Sequence, residues 1–447
     1  MARIYPFRAL RYNPSMVRFK DVVTQPYDKI TPAMQQAYYQ RSPYNLVRII
    51  LGLPELFDGD GARDVYRRAA ELFSAWRRDG ILTQENEPCV FAYSQTFPVP
   101  GSAPGAQVYC ERQGFIALGE LYDYSANVVF RHEQTLSRPK SDRLNLLRAT
   151  RANFGQIFML YSDPGLTADR LLFNSTAAPD IEVTDEYEVV HRIWRISDPA
   201  TINLLTTALE DKKLIIADGH HRYETALQYA REQAPEAPPL SAERNPGFPA
   251  TPPRPESAAM MTFVNMDRDG LVILPTHRVV HGLAGFDPSR FLNSLRPYFS
   301  IQALSTQRPE ALIAALNTSS GQTAYIAAMN SGSYLLTAQP EPINAALQNL
   351  SNRQRGLDTV QLHAIILERI LGISPEDIAR QTHIRYYRDA AEAIEQVTRN
   401  QANVAFLMKP ATLAELREVA FAGEVMPQKS TDFFPKLLSG LTIYALD

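Results

Sequence analysis

The sequence predicts an α+β protein built from mixed sheets and helices. Three observations carry that prediction. Short apolar runs with strand character are interleaved with helical stretches that bring their own capping residues. No internal repeat or heptad run competes with this reading. At 447 residues the chain exceeds the usual size of one domain, so two or three units are expected.

The first unit is expected over 1–185. Thr31-Pro32 reads as an N-cap followed by proline at the first helical position, opening a helix toward Tyr39. Asp64 to Arg78 reads as a helix with Val65, Ala69, Leu72, Phe73 and Trp76 on its apolar face. Strands are expected over Val90 to Phe97, Val108 to Leu118 and Asn127 to Phe130, with a hairpin-type loop from Pro98 to Gly105.

The second unit is expected over 186–300. Val189 to Ile196 is strand-like, and Asp198-Pro199 caps a helix from Ala200 to Glu210 that buries Ile202, Leu205 and Leu209. Lys213 to Ala217 is a further strand. The interval 235–257 is too rich in proline for a core element and reads as a loop. Met260 to Val264 and Leu271 to Leu274 resume strand character around an Asp267-Arg268-Asp269-Gly270 turn.

The third unit is expected over 301–447. Gln322 to Ala328 and Tyr334 to Ala338 read as a hairpin, Thr359 to Leu371 and Pro375 to Thr398 as helices, and Val404 to Met408 as a strand. Thr412 with Glu415 forms a capping box for a helix ending near Gly423.

Composition narrows the function. Hydrophobic content of 45% and charged content of 21% are ordinary for a globular protein. A net charge of −3 argues against nucleic acid as partner. No apolar run approaches the ~20 residues of a membrane span, and Met1 to Arg8 lacks a signal-peptide core. Cys89 and Cys110 are too few for a disulfide framework and are expected as buried free thiols. A cytoplasmic protein acting on a small molecule fits these features; the oligomeric state is open.

The chemistry concentrates in Leu214-Ile215-Ile216-Ala217-Asp218-Gly219-His220-His221-Arg222-Tyr223. Four apolar residues end in a carboxylate and a glycine, then Tyr223, Ala226, Leu227 and Ala230 follow helical spacing. Strand, glycine turn and helix start present free N–H groups and a positive dipole end to an anion. Arg222 in the first helical turn opposes that dipole unless it has a negative partner, which a phosphate or Asp218 or Glu224 supplies.

Other segments add candidates. His132-Glu133 closes a strand-like run, where a base and its orienting group could meet a substrate. Lys140 follows shortly after. His277, Arg278 and His281 sit where a strand resumes, and His277 meets the central turn if the two strands share a sheet. Lys429, Ser430 and Thr431 lie in a polar and aromatic stretch that suits either phosphate oxygens or packing of the terminus. His191 and His363 are expected as packing residues.

The Asp218-Gly219-His220-His221-Arg222 turn resembles the phosphate-binding turn of the ParB/sulfiredoxin superfamily, which includes free-serine kinases. The resemblance covers residues 186–300 and implies a ParB/sulfiredoxin-like domain there. Over nearly its full length the chain resembles a widespread bacterial and archaeal family of unknown function. That likeness rests on Pro26-Tyr27-Asp28-Lys29-Ile30, His132-Glu133, Pro139-Lys140, the Asp218 turn, Leu274-Pro275-Thr276-His277-Arg278 and Met426 to Thr431. The superfamily implies a nucleotide, ATP or ADP, handled with Mg²⁺. Asp218, His220, His221, His132 and Glu133 are then the catalytic candidates. Gly219, His220, His221, Arg222, Lys140, His277, Arg278, Lys429, Ser430 and Thr431 are the candidates for holding the nucleotide. Asp218, Glu133 and Glu120 are candidate bases by type. Sulfiredoxin chemistry needs a cysteine where this chain has Gly219, which argues against it.

Three functions follow as expectations. The first is a nucleotide-dependent phosphotransferase acting on a small hydroxylated metabolite, serine-like in the simplest case. The second is a nucleotide-binding regulator without turnover. The third is a metal-dependent hydrolase using Asp218, His220, His221 and His132.

Overall fold

The structure, a computed structural model, describes residues 1–53, 61–101, 107–133, 137–174, 177–234, 251–319 and 321–447. Of residues 61–64 and 137–140 it describes the backbone alone. The fold is mixed α/β with several sheets, as the sequence predicts. The chain divides into two compact units. One comprises 1–131, 136–272 and 435–447; the other comprises 132–135 and 273–434.

The first unit is organised by a nine-stranded sheet. Its strand order is Val129–Phe130, Leu214–Asp218, Ile157–Tyr161, Ala258–Asn265, Tyr109–Glu120, Val90–Pro98, Val190–Ile196, Ile181–Thr184, with Ile4–Tyr5 pairing on Tyr109–Glu120. Strands expected in two successive sequence units therefore share one sheet. Ile215 and Ile216 on the Leu214–Asp218 strand are fully buried, each worth about 1.5–3 kcal/mol of burial. A satellite core forms around Phe73 and Trp76 of the Gly61–Arg78 helix, with Phe73 edge-on to Phe154 at 5.1 Å.

Residues 435–447, expected with the third sequence unit, belong to this first unit. Tyr444–Ala445 pairs antiparallel with Ala152–Asn153, and bridges link Leu10 to Ile443 and Thr24 to Ser439.

The second unit carries a six-stranded sheet ordered Phe299–Leu304, Gly332–Ala338, Ala324–Met329, Val404–Leu407, His277–Val280, Ile384–Tyr387. The expected hairpin appears as Ala324–Met329 with Gly332–Ala338. The capping box is present: Thr412 accepts from the Glu415 N–H, and Glu415 returns a bond to Thr412.

Several expectations are corrected. The single helix expected over Pro375 to Thr398 is two helices, Pro375–Arg380 and Ala390–Thr398, around the strand Ile384–Tyr387. Gln381 at φ 57 ends the first helix in a left-handed cap, and the β-branched and aromatic run that follows favours a strand. The helix expected from Thr359 to Leu371 is α-helical only over Asp358–Gln361 and continues as a π-helix over Leu362–Ile370. The Asn127 to Phe130 strand shortens to Val129–Phe130, because Asn127 at φ 54 closes a preceding 3₁₀ turn. Cys89 is buried, whereas Cys110 is partly exposed. Residues 102–106 and 235–250, which include half of the expected hairpin loop and most of the proline-rich loop, lie outside the described residues. Among the described residues no helix is long and apolar enough to cross a membrane.

Candidate functional site

The Leu214–Asp218 strand, Gly219 and the His220–Gln233 helix form the turn that the sequence points to. Pairing with Ile157–Tyr161 shifts register between Ile216 and Asp218, a bulge that re-aims the end of the strand. Gly219 sits at φ 93 and is the helix N-cap. The positive φ favours glycine, and a Cβ there would lie 3.0 Å from the Arg222 guanidinium, which would have to give way. Tyr223, in the first turn of the helix, anchors it. Its hydroxyl donates to the Tyr122 carbonyl at 2.8 Å and accepts from the Tyr122 N–H at 2.9 Å.

Asp218 is the centre of a charged cluster. Arg222 Nη2 donates to Asp218 Oδ2 at 2.7 Å, and Lys436 Nζ donates to Oδ1 at 3.1 Å. Arg222 Nη1 also donates to the Gln156 carbonyl. Burial opposes the charge on Asp218, but Lys436, Arg222 and Lys29 together outweigh it and hold the carboxyl far below the usual carboxylate range. Asp218 is therefore a fixed negative charge and a poor proton acceptor. Arg222 has the negative partner its position demands. His220 and His221 are the first two residues of the helix, both partly exposed.

Lys436 reaches Asp218 because its backbone is held from behind. Its carbonyl accepts from Gln95 Nε2 at 2.9 Å, and the Pro435 carbonyl accepts from Arg112 Nη2 at 2.6 Å. Gln95 and Arg112 face each other across the Val90–Pro98 and Tyr109–Glu120 strands, and Arg112 Nε donates to Gln95 Oε1 at 3.0 Å. Arg112 is fully buried with its guanidinium 4.7 Å from the Phe158 ring centre. Burial lowers its pKa to about 10, which leaves it a cation at neutral pH.

His191 belongs to the same polar layer rather than to apolar packing. Its Nδ1 shares a hydrogen bond with the Tyr93 hydroxyl at 2.7 Å, and its Nε2 lies 3.2 Å from Asp185 Oδ2. Burial lowers the His191 pKa, outweighing the Asp185 carboxylate.

The Pro26-Tyr27-Asp28-Lys29 segment also contributes to this unit. The Arg143 guanidinium stacks 4.1 Å over the Tyr27 ring. A cavity of about 80 Å³ adjoins Arg222 and is lined by Tyr27, Arg143, Phe154, Thr225 and Ser439 among others. Glu120, a candidate base by type, is buried, accepts from the Tyr122 hydroxyl at 2.7 Å and lies 3.5 Å from Arg3.

The remaining sequence candidates gather in the second unit. His132 Nε2 shares a hydrogen bond with Thr431 Oγ1 at 2.7 Å, and the His132 carbonyl accepts from the Met426 N–H at 2.7 Å. Glu133 Oε1 accepts from the Lys429 N–H at 3.0 Å. Arg278 Nη2 donates to the Lys429 carbonyl at 2.9 Å, and Lys429 itself sits at φ 58 with an exposed side chain. Ser430 Oγ donates to the Pro427 carbonyl at 2.6 Å. The Ser430 and Thr431 hydroxyls are thus engaged within the unit. His277, next along the strand from Arg278, faces the opposite side of the sheet. It accepts from the Met408 N–H at 3.1 Å, and burial with the Arg278 charge pushes its pKa down to about 4. The strands of His277 and Asp218 lie in different sheets, so the condition for their convergence is not met. The Lys140 side chain lies outside the described residues.

The residues that sequence reasoning missed are Lys436, Arg112 and Gln95 as a connected set. Each is an ordinary surface or strand residue by type, and only strand register and the return of the C-terminal segment bring them to Asp218. Lys29 lies in the Pro26 to Ile30 motif, but nothing in that motif gives it a role.

Residues 4–360 match the family described as protein of unknown function (DUF1015). The chain belongs to this family. No curated protein matches the chain. Among solved structures, a conserved hypothetical protein from Pyrococcus furiosus is 12% identical at TM-score 0.34, covering 72% of this chain and 90% of its own. A free serine kinase in complex with AMP is 12% identical at TM-score 0.34, covering 72% of this chain and 86% of its own. SbnI with a C-terminal truncation, from Staphylococcus aureus, is 9% identical at TM-score 0.36, covering 72% and 85%. Likenesses at these scores carry no argument about chemistry.

Proposed function

We propose that this protein binds the phosphates of a nucleotide at the Asp218 turn and transfers a phosphoryl group to a small hydroxylated metabolite. The observation that supports this reading is the charge balance of the turn. One carboxylate, Asp218, is acted on by Lys436, Arg222 and Lys29 at the start of a 14-residue helix. The surplus of positive charge and the positive dipole end of the helix suit phosphate oxygens. Phosphoryl transfer depends mainly on positioning and on neutralising charge, which are what these residues supply.

Mg²⁺ does not fit the turn as a protein-held ion. Both oxygens of Asp218 already face cations, and no group of three His, Cys, Asp or Glu side chains gathers as metal ligands among the described residues. The hydrolase reading loses its ligand set for the same reason.

Binding without turnover is a second reading, favoured by one observation. Lys436, Arg222 and Lys29 hold the Asp218 carboxyl far below its usual range, which makes it a weak base for a hydroxyl proton. The test is a thermal-shift panel of ATP, ADP, CTP and GTP, each with and without Mg²⁺, on wild type, Arg222→Ala and Lys29→Gln. A nucleotide-dependent rise in Tm that both variants lose supports the site. No rise with any nucleotide overturns it. Product formation with serine as acceptor then separates a transferase from a regulator.

A further inference from the structure

The cavity beside Arg222 lies wholly within the first unit. Most of its wall is apolar, with Ile50, Leu146, Phe154 and Ala226 facing it. Ala226 stands one turn after Arg222 on the same side of the His220–Gln233 helix, so the cavity continues along that helix from the Asp218 turn. Its volume is about 80 Å³. A cavity of roughly 150 Å³ holds benzene, so this one suits a group of about three or four carbons and is too small for a nucleobase.

No acidic side chain lines the cavity among the described residues. Two guanidiniums do, and both are already engaged. Arg143 donates to Asp142 and to the Ile50 carbonyl, each at 2.8 Å, and Arg222 donates to Asp218 and the Gln156 carbonyl. An ammonium in the cavity would meet like charge with no carboxylate on the wall to pair it. Two hydroxyls remain open. Those of Tyr27 and Ser439 face the cavity, neither is enclosed, and neither makes a hydrogen bond among the described residues. Burial raises the Tyr27 pKa, so the phenol keeps its proton. Ser439 Oγ and Arg222 Nη1 share one wall: a Cβ on Gly155 would lie 3.5 Å from the first and 3.4 Å from the second.

We propose that this cavity holds the acceptor of the phosphoryl group, and that the acceptor is an uncharged alcohol on a short branched hydrocarbon. The proposal rests on the phosphate reading of the Asp218 turn. The hydrocarbon lies along Leu146, Phe154 and Ala226. The hydroxyl donates to one of the open hydroxyls and accepts from the other, on the wall that Arg222 shares. In the transfer the alcohol oxygen forms the new P–O bond, the bond between the terminal phosphorus and the rest of the nucleotide breaks, and the hydroxyl proton passes to water.

The test is saturation-transfer NMR on the full chain, with isobutanol as probe and isobutylamine as its charged counterpart. Isobutanol is expected to receive saturation from wild type, and the amine at least tenfold less. Ala226→Leu, which fills the cavity from a buried position, should abolish the isobutanol signal. With ATP present, wild type should form isobutyl phosphate. No signal from isobutanol at millimolar concentration overturns the proposal, and a rise in wild-type Tm with ATP in the same sample confines that failure to the cavity. Equal transfer to the amine overturns it as well, as does an undiminished signal in an Ala226→Leu protein that melts with wild type. Bound isobutanol without any rise in Tm on ATP overturns the reading of the turn instead, and the acceptor role with it. The comparison of alcohol with amine uses the wild-type chain alone, so it stands even where the variant fails to fold.

Discussion

Lys436 Nζ lies 3.1 Å from Asp218 Oδ1, although the two residues are 218 positions apart in the chain. Neither side chain is well exposed, at 7% for Lys436 and 24% for Asp218. The contact ties the C-terminal segment to the one turn in which the sequence concentrates its chemistry.

Lys436→Met should destabilise the protein by about 1–3 kcal/mol, since it strips one cation from a carboxylate that keeps Arg222. Urea denaturation measures this as a lower midpoint at unchanged slope. An unchanged midpoint would show that the pair contributes nothing. The same variant should weaken ATP binding at least tenfold.

Gly219→Ala should cost about 1–3 kcal/mol, because alanine at φ 93 is strained and its Cβ meets the Arg222 guanidinium. Thermal melting reads the loss. Replacing Gly80, which also has positive φ but open space around it, provides the comparison and should cost less.

Acid should destabilise the protein through several groups with depressed pKa, Asp218 and His363 among them. The folded value for Asp218 lies far below its ordinary 3.8, so its stabilisation is present above that value and is lost as pH falls below it. His363 moves from 6.5 to about 3, so the unfolded chain takes up its proton first and stability declines from about pH 6.5 downward. The His363 slope is at most about 1.4 kcal/mol per pH unit. Denaturant midpoints between pH 7 and pH 5 should fall less steeply in His363→Gln than in wild type. Equal slopes would contradict the neutral buried imidazole.

Gln95→Leu removes the acceptor of Arg112 Nε and the donor to the Lys436 carbonyl. A buried guanidinium left short of an acceptor should cost more than about 2 kcal/mol. Hydrogen exchange should show faster exchange across 435–447. Exchange unchanged there would mean that the other ties of the segment, among them the Tyr444–Ala445 pairing and the Ile443 and Ser439 bridges, suffice to hold it.

The legible part of this chain is local. Thr31 caps its helix by accepting from the Met34 N–H, Asp198 caps the Pro199–Glu210 helix, and the Asp218 turn lies where the apolar run ends in glycine. Each of these is decided within a few residues. The π-helix was not legible, because the apolar spacing of Leu362, Ile365 and Ile366 satisfies a 3.6-residue period equally well. The strand Ile384–Tyr387 was hidden between two helices whose apolar patterns run together along the sequence. The Lys436 contact was hidden for a different reason: register and chain return set it, and no local pattern encodes either.

The separation of Asp218 from Lys436 has a consequence during biosynthesis. At about 5–20 residues per second, a ribosome needs roughly 10–40 s to travel from one codon to the other. Through that interval the nascent turn has Arg222 and Lys29 available but not its third cation, and the sheet beneath it lacks the segment that Gln95 and Arg112 grip. The charge pattern of the turn therefore matures late, so under the proposed function a nucleotide should not engage the turn fully while the chain is still being made.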